Sequence, residues 1–199
     1  MTARHYAYQV KQRLRRAPRQ ATAWSRIHWF RALSTNPGAF AGSRVVTPVL
    51  ALGTGRIQAR GVQFGFIPSP HAYDGCIHIE ARADSVISIG SGSVVNNGCT
   101  FAAEGPGITI GDDALIGPEV MVFDSDFHSL TPSERRSHPP AMGEVAIGAN
   151  VFIGARAIIL KGVRIGDDVV VAAGSVVVSD LPAGSICGGN PCRPLQDLG

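Results

Sequence analysis

The chain has 199 residues and a net charge of +3; 24 residues are glycine and only 7% are aromatic. No stretch reaches the roughly 18 uninterrupted apolar residues that a membrane span needs, and the start lacks the apolar run of a secretion signal. Four cysteines without C-x-x-C spacing point away from zinc and toward small core residues in a reducing cytoplasm, the expected location.

The first element in chain order is a basic extension over about residues 1–40. Residues 1–73 hold eleven Lys and Arg and no Asp or Glu, whereas 74–199 hold seven basic and fifteen acidic residues, so +11 stands against −8. From Tyr6 to Leu33 the pattern predicts one or two short helices broken near Pro18, with Trp24, Ile27, Trp29 and Phe30 as apolar anchors. Such a segment reads as a cap over the open end of the following fold. It also reads as a peripheral contact with anionic lipid at the inner face of the membrane, or with an acidic glycan. The need to cover an open end favours the cap. No nucleic-acid motif accompanies the charge, so nucleic acid is not an expected partner.

Between Gly38 and Ser88, fragments such as GRIQARGVQFG and IHIEARADSVISIG alternate like strands, interrupted by FIPSPHAYDG, and predict one or two irregular coils. Beyond them an aliphatic or aromatic residue returns every sixth position: Ile89, Val95, Phe101; then Ile110, Ile116, Val122; then Ile147, Ile153, Ile159, Ile165, Val171, Val177. Six fits neither the 3.6 of a helix nor the alternation of a strand. It is the spacing of a hexapeptide repeat, in which short strands wind into a triangular parallel β-helix with one inward side chain per hexad. This predicts an all-β solenoid over 41–195, followed by a tail at 196–199. Three hexads make one turn of 18 residues. Ile89 to Ile110 spans 21, which places about three extra residues around Glu104–Gly107. Ile110 to Ile147 spans 37, one turn plus 19, which predicts a polar, proline-rich excursion over 128–145. The end, CGGNPCRPLQDLG, leaves the repeat through glycine and proline.

His128 opens that excursion, and histidine is the usual side chain for moving a proton near neutral pH. Asp124 and Asp126 are candidates to bond its other nitrogen and fix the tautomer; alternatively, the three begin a polar loop whose turns the aspartates cap. A D-x-D pair also suits a metal beside a sugar nucleotide, but no nucleotide-binding α/β region surrounds it. Asn96 and Asn97, in the hexad after Val95, are candidates to orient a sugar hydroxyl, or else form an inward ladder that supports the coil. His5, His28, His71, His78 and His138 assemble no zinc site, so no metal is expected.

The runs ITIGDDALIGPEVMVFDSDFHSL and VAIGANVFIGARAIILKGVRIGDDVVVAAGSVVVSDLPAGSICGGNPCR, with the loop between them, resemble the hexapeptide-repeat O-acetyltransferases. These are the galactoside, maltose and nodulation-factor enzymes and those acetylating surface polysaccharides. The resemblance covers about residues 86–195. It implies a left-handed coil, a homotrimer with active sites between protomers, acetyl-CoA as co-substrate, and a sugar or glycan acceptor. Position by position it implies His128 as general base and Asn97 on the acceptor side. Phe152 stands where the family often has tryptophan. Gly154, Ala155, Ala173 and Gly174 would line the pantetheine path, and Val178, Ser179 and Arg193 would lie nearest the adenine and 3′-phosphate. Asp-Phe-His-Ser replaces the Gly-His-Pro turn of the sugar acetyltransferases, and the basic extension has no counterpart. N-acylation of an amino sugar and a non-catalytic β-helix platform are the competing readings; serine acetyltransferase is disfavoured by the short, basic N-terminal part.

Overall fold

The computed structural model describes residues 22–199; the part of the expected helical extension before residue 22 lies outside the described residues. Short parallel strands wind around three faces. The first face stacks Arg44–Val45, Gln63–Phe64, Val94–Val95, Leu115–Ile116, Phe152–Ile153, Val170–Val171 and Ser185–Gly189. The second stacks Val49–Leu52, Ile77–Ala81, Thr100–Ala103, Met121–Phe123, Ile158–Ile159 and Val176–Val177. The third stacks Arg56–Ala59, Val86–Ile89, Ile108–Ile110, Val145–Ile147 and Arg164–Ile165. The fold is a left-handed parallel β-helix, all-β apart from a helix, α1, described over residues 22–33.

The hexad residues account for this geometry. Strand side chains alternate between faces, so one residue of each two-residue rung points inward. Phe64, Val95, Ile116, Ile153, Val171 and Cys187 follow one another in register up the first face and are all buried. Ile79, Phe101, Val122, Ile159 and Val177 do the same on the second. Burying each such side chain contributes about 1.5–3 kcal/mol, and β-branched residues fit the pleat. Ile89 pairs with Ile110 and Ile110 with Ile147, so the spans of 21 and 37 residues each close one turn.

Two expectations need correction. The coils between 38 and 88 are regular: Arg56–Ala59 runs in register with Val86–Ile89, and Val49–Leu52 with Ile77–Glu80. The period is hard to read there because alanines (Ala51, Ala59, Ala81) fill several inward positions, and because a second excursion separates Phe64 from Ile77. At the other end, Cys192–Asp197 folds back antiparallel on Ser185–Gly189, a strand that the repeat does not announce.

The outward residues differ between faces. Up the third face they are Gln58, Ser88, Thr109, Ala146 and Arg164. Up the first they are Arg44, Gln63, Val94, Leu115, Phe152, Val170 and Ile186, and up the second Leu50, His78, Thr100, Met121, Ile158 and Val176. The first and second faces are therefore mostly polar in their early rungs and apolar in the later ones, whereas the third is mostly polar. At the N-terminal end, Ala39 and Phe40 pack against the first coil, with the Phe40 ring edge-on to Phe64 at 4.9 Å. Helix α1 leans alongside through Ala23, Ile27 and Phe30, and is tied down by Arg26 Nη2 donating to the Gly75 carbonyl at 2.7 Å. All four cysteines are free; Cys99, Cys187 and Cys192 are buried.

Candidate active site

The excursion leaves the second face after Phe123 and rejoins the third at Val145, so it projects from the corner between them. Its two ends are pinned together by an antiparallel bridge between Ser125 and Met142 and by Asp126 N–H donating to the Ala141 carbonyl at 3.0 Å. Phe127, with φ of 59°, turns the chain out of the coil. Its ring lies edge-on to Phe123 at 5.7 Å and beneath the Arg82 guanidinium at 5.3 Å. A hydrogen bond from Arg82 holds the Glu80 carboxyl below its usual range and fixes the guanidinium that caps the ring. This packing sets the root from which His128 projects, exposed and without a hydrogen-bond partner among the described residues.

Neither aspartate orients it. The Asp124 carboxylate is buried and accepts three backbone N–H groups, from Glu104 at 2.8 Å, Gly105 at 3.0 Å and Gly107 at 2.9 Å. Those residues are the extra ones in the 21-residue turn, whose amides are displaced from regular rung partners and need another acceptor. Asp126 pairs instead with Lys161 Nζ at 2.9 Å, while its buried Oδ2 has no hydrogen-bond partner. The expectation that one of the two holds the imidazole is thus corrected: both belong to the base of the loop. Sequence reading missed Lys161, Phe127 and Arg82, because their partners arrive from other coils.

Asn96 and Asn97 lie at a different corner, between the first and second faces. Asn97 is buried and fully engaged. Its Oδ1 accepts from Thr47 Oγ1 at 3.0 Å and Phe66 N–H at 3.1 Å, and its Nδ2 donates to the carbonyls of Phe66 at 2.8 Å and Pro70 at 2.9 Å. The acceptor-side role expected of Asn97 is therefore corrected to that of a staple for the 65–76 excursion. Replacing it with alanine should destabilise the protein by about 1–3 kcal/mol, since buried partners lose their bonds; the shift in urea midpoint measures this. Asn96 Oδ1 accepts from Ser69 Oγ at 2.7 Å and from Asn97 N–H, and no partner for its Nδ2 occurs among the described residues. It lines an open groove of about 260 Å³ with Phe66, Leu115 and Phe152, the last 46% exposed.

Of the expected cofactor residues, Gly154, Ala155, Ala173 and Gly174 fall along the same corner, whereas Val178 and Ser179 follow a second-face strand and stand at the next one. Gly154–Ala155 and Ala173–Gly174 stack as successive turns. Their glycines serve different ends. A Cβ on Gly154 would stand 2.4 Å from Ala173 N, so coil stacking demands glycine there. Gly174, with φ of +71°, has nothing within 4 Å of a Cβ and leaves the outside of the corner open. The N–H groups of Ala155 and Ala173 have no hydrogen-bond partner among the described residues, so two uncommitted donors sit one turn apart, an arrangement that fits the amide carbonyls of a pantetheine arm. Ser179 lies at the corner of the long excursion, where its Oγ accepts from Arg193 Nη1 at 3.4 Å, and Val178 beside it is 47% exposed. The return strand is what carries Arg193 to that place. Among the described residues no group of three His, Cys, Asp or Glu side chains converges on a possible metal position.

The strand winding and the recurring hexad define a β-helix built on a hexapeptide repeat. Residues 144–179 match the hexapeptide repeat of succinyl-transferase. Galactoside O-acetyltransferase of Escherichia coli K12 is 36% identical over 91 residues, covering 46% of this chain and 44% of that protein. The 2,3,4,5-tetrahydropyridine-2,6-dicarboxylate N-acetyltransferase of Staphylococcus aureus Newman is 47% identical over 58 residues, covering 29% of this chain and 24% of that one. The chain thus spans less than half the length of either relative. Among solved structures, a hexapeptide-repeat-containing acetyltransferase of Vibrio cholerae O1 biovar eltor, complexed with acetyl coenzyme A, superposes with a TM-score of 0.53 at 26% identity. That likeness covers 85% of this chain and 74% of the other.

Proposed function

We propose that the protein is an acetyl-CoA-dependent O-acetyltransferase acting on a hydroxyl of a sugar or surface-polysaccharide precursor. The observation that carries this reading is the likeness, over 85% of the chain, to an acetyltransferase with acetyl coenzyme A bound. The free N–H groups of Ala155 and Ala173, the open corner at Gly174 and the Ser179–Arg193 pair supply a path for the coenzyme. Phe152 flanks that path, and Asn96, with its uncommitted amide donor, takes the acceptor side in place of Asn97.

His128 and Asn96 stand at different corners of one coil. A homotrimer resolves this: packing side by side brings the corner carrying His128 of one protomer to the corner carrying Asn96 of the next. The apolar later rungs of the first and second faces support such heterologous closure, since each needs covering and they are different surfaces. In this reading the imidazole of His128 is oriented across the interface. It takes the proton of the acceptor hydroxyl as that oxygen attacks the thioester carbonyl, and a backbone N–H stabilises the oxyanion. The C–S bond then breaks, and His128 returns the proton to the leaving thiolate. The acetyl group passes directly to oxygen, with no covalent enzyme intermediate.

The test is thiol release from acetyl-CoA with a panel of sugar alcohols and amino sugars. Release with hydroxyl acceptors supports the reading, and release with amino sugars alone would replace it with N-acylation. No coenzyme binding by calorimetry would leave the non-catalytic platform. Arg193→Ala is expected to raise the coenzyme Kd by about tenfold, the loss of one charge-assisted bond, with a smaller effect for coenzyme lacking the 3′-phosphate.

A further inference from the structure

Helix α1 is held in one orientation. Ala23, Ile27 and Phe30 are half-buried, Ile27 lining a cavity with Phe40 and Val45; the Arg26 guanidinium donates to the Gly75 carbonyl at 2.7 Å, and Arg26 lies over the Phe30 ring at 5.9 Å. At 100° per residue this leaves Trp24 and Trp29 on either flank of the outward face, about 140° apart. Each is 64% exposed, and Leu33 is 49% exposed. Between them lie only His28, Ala32 and Ser25; exposed Arg31 stands at the edge of this face beside Trp24, where it also lines the cavity with Ile27 and Phe40. Nothing in the coil requires two exposed indoles here. Along the sequence the charge is one-sided: residues 1–73 carry eleven Lys and Arg without an acidic residue, while the remainder carries seven basic and fifteen acidic residues.

We propose that this helix face docks the protein onto an anionic lipid bilayer. The indoles would enter the headgroup boundary, where amphipathic aromatic rings are favoured, with Leu33 at the margin beyond Trp29. The basic segment supplies the attraction, and the acidic solenoid, repelled by the same surface, fixes which end approaches it. No described helix is long and apolar enough to cross a membrane, so the contact is a peripheral one. It stands independently of the acyl-transfer reading. A flexible polyanion such as RNA shares the charge preference but gains nothing from Leu33, and it is kept as a control.

Trp24 and Trp29 are the chain's only two tryptophans, so intrinsic fluorescence reads this surface directly. The full chain is titrated with phosphatidylcholine vesicles containing about a third phosphatidylglycerol and with pure phosphatidylcholine vesicles, and binding is confirmed by flotation. The expected result is a blue shift and quenching by brominated lipid with the anionic vesicles only, weakened by about 0.5 M salt. Arg31→Gln, which keeps both indoles, should lower partitioning by about fivefold. The Trp24→Ala, Trp29→Ala pair should lower flotation by about tenfold or more with the far-ultraviolet circular dichroism unchanged. Absence of flotation, equal binding to neutral vesicles, or the same blue shift with RNA overturns the proposal. So does protection of the indoles from acrylamide before lipid is added, which would mean another protein surface covers them. Thiol release with a soluble acceptor should be the same for wild type and both variants.

Discussion

Replacing His128 with alanine is expected to lower turnover by about 10²–10⁴-fold, the range of a lost general base, while the coenzyme Kd stays unchanged. The separation is expected because the coenzyme contacts proposed at Ala155, Ala173 and Arg193 are made without the imidazole, which in this reading meets only the reacting atoms. His128 makes no hydrogen bond among the described residues, so its removal leaves no buried group unsatisfied, and the variant should keep the thermal midpoint of the parent. Calorimetry with coenzyme and steady-state thiol release check the two halves. Equal turnover in the variant would remove His128 from the chemistry, and lost coenzyme binding would make it a binding residue instead.

Asp124→Ala should be the most damaging of the substitutions considered for folding, at about 3–5 kcal/mol. Three backbone N–H groups, of Glu104, Gly105 and Gly107, end on this one buried carboxylate. Each orphaned buried donor costs about 1–3 kcal/mol, and neighbouring losses add less than fully. Asp124→Asn should cost nearly as much, because the amide turns an N–H₂ toward donors on one side or the other. Chemical denaturation measures the loss. A shift in midpoint worth less than about 1 kcal/mol would show that the 104–107 turn finds other partners, water included. Reduced turnover in Asp124→Ala is expected only in step with reduced folded protein, since the carboxylate points into the coil and not at His128.

These two neighbours, four residues apart, show where sequence reading reached and where it stopped. The segment Asp124–His128 is readable as special because it breaks the hexad. Which of its residues does chemistry and which holds the loop is not readable, because the partners of Asp124 lie 17 to 20 residues back and that of Asp126 is Lys161 on the following coil. Asn97 makes the same point at longer range. Its partners Thr47 and Phe66 are 50 and 31 residues away, and the excursion they anchor lies in a stretch whose period is masked by alanines. The arithmetic of spans, by contrast, carried over unchanged. Ile89, Ile110 and Ile147 stack as their spacing requires.

What the residues alone determined is the coil itself: its period of six, its turn of 18, the positions of the two departures from that count beyond Ile89, and the place where His128 leaves it. A repeat is local, and each rung needs only a β-branched or small residue at one position in six to bury its share of core. Tertiary structure alone decided which polar side chains are spent inside the coil, which N–H groups at Ala155 and Ala173 stay free, and that the return strand sets Arg193 against Ser179. Those outcomes depend on hydrogen-bond partners one to three turns away, and a buried polar group is satisfied by whatever the neighbouring turn presents, not by its own sequence context.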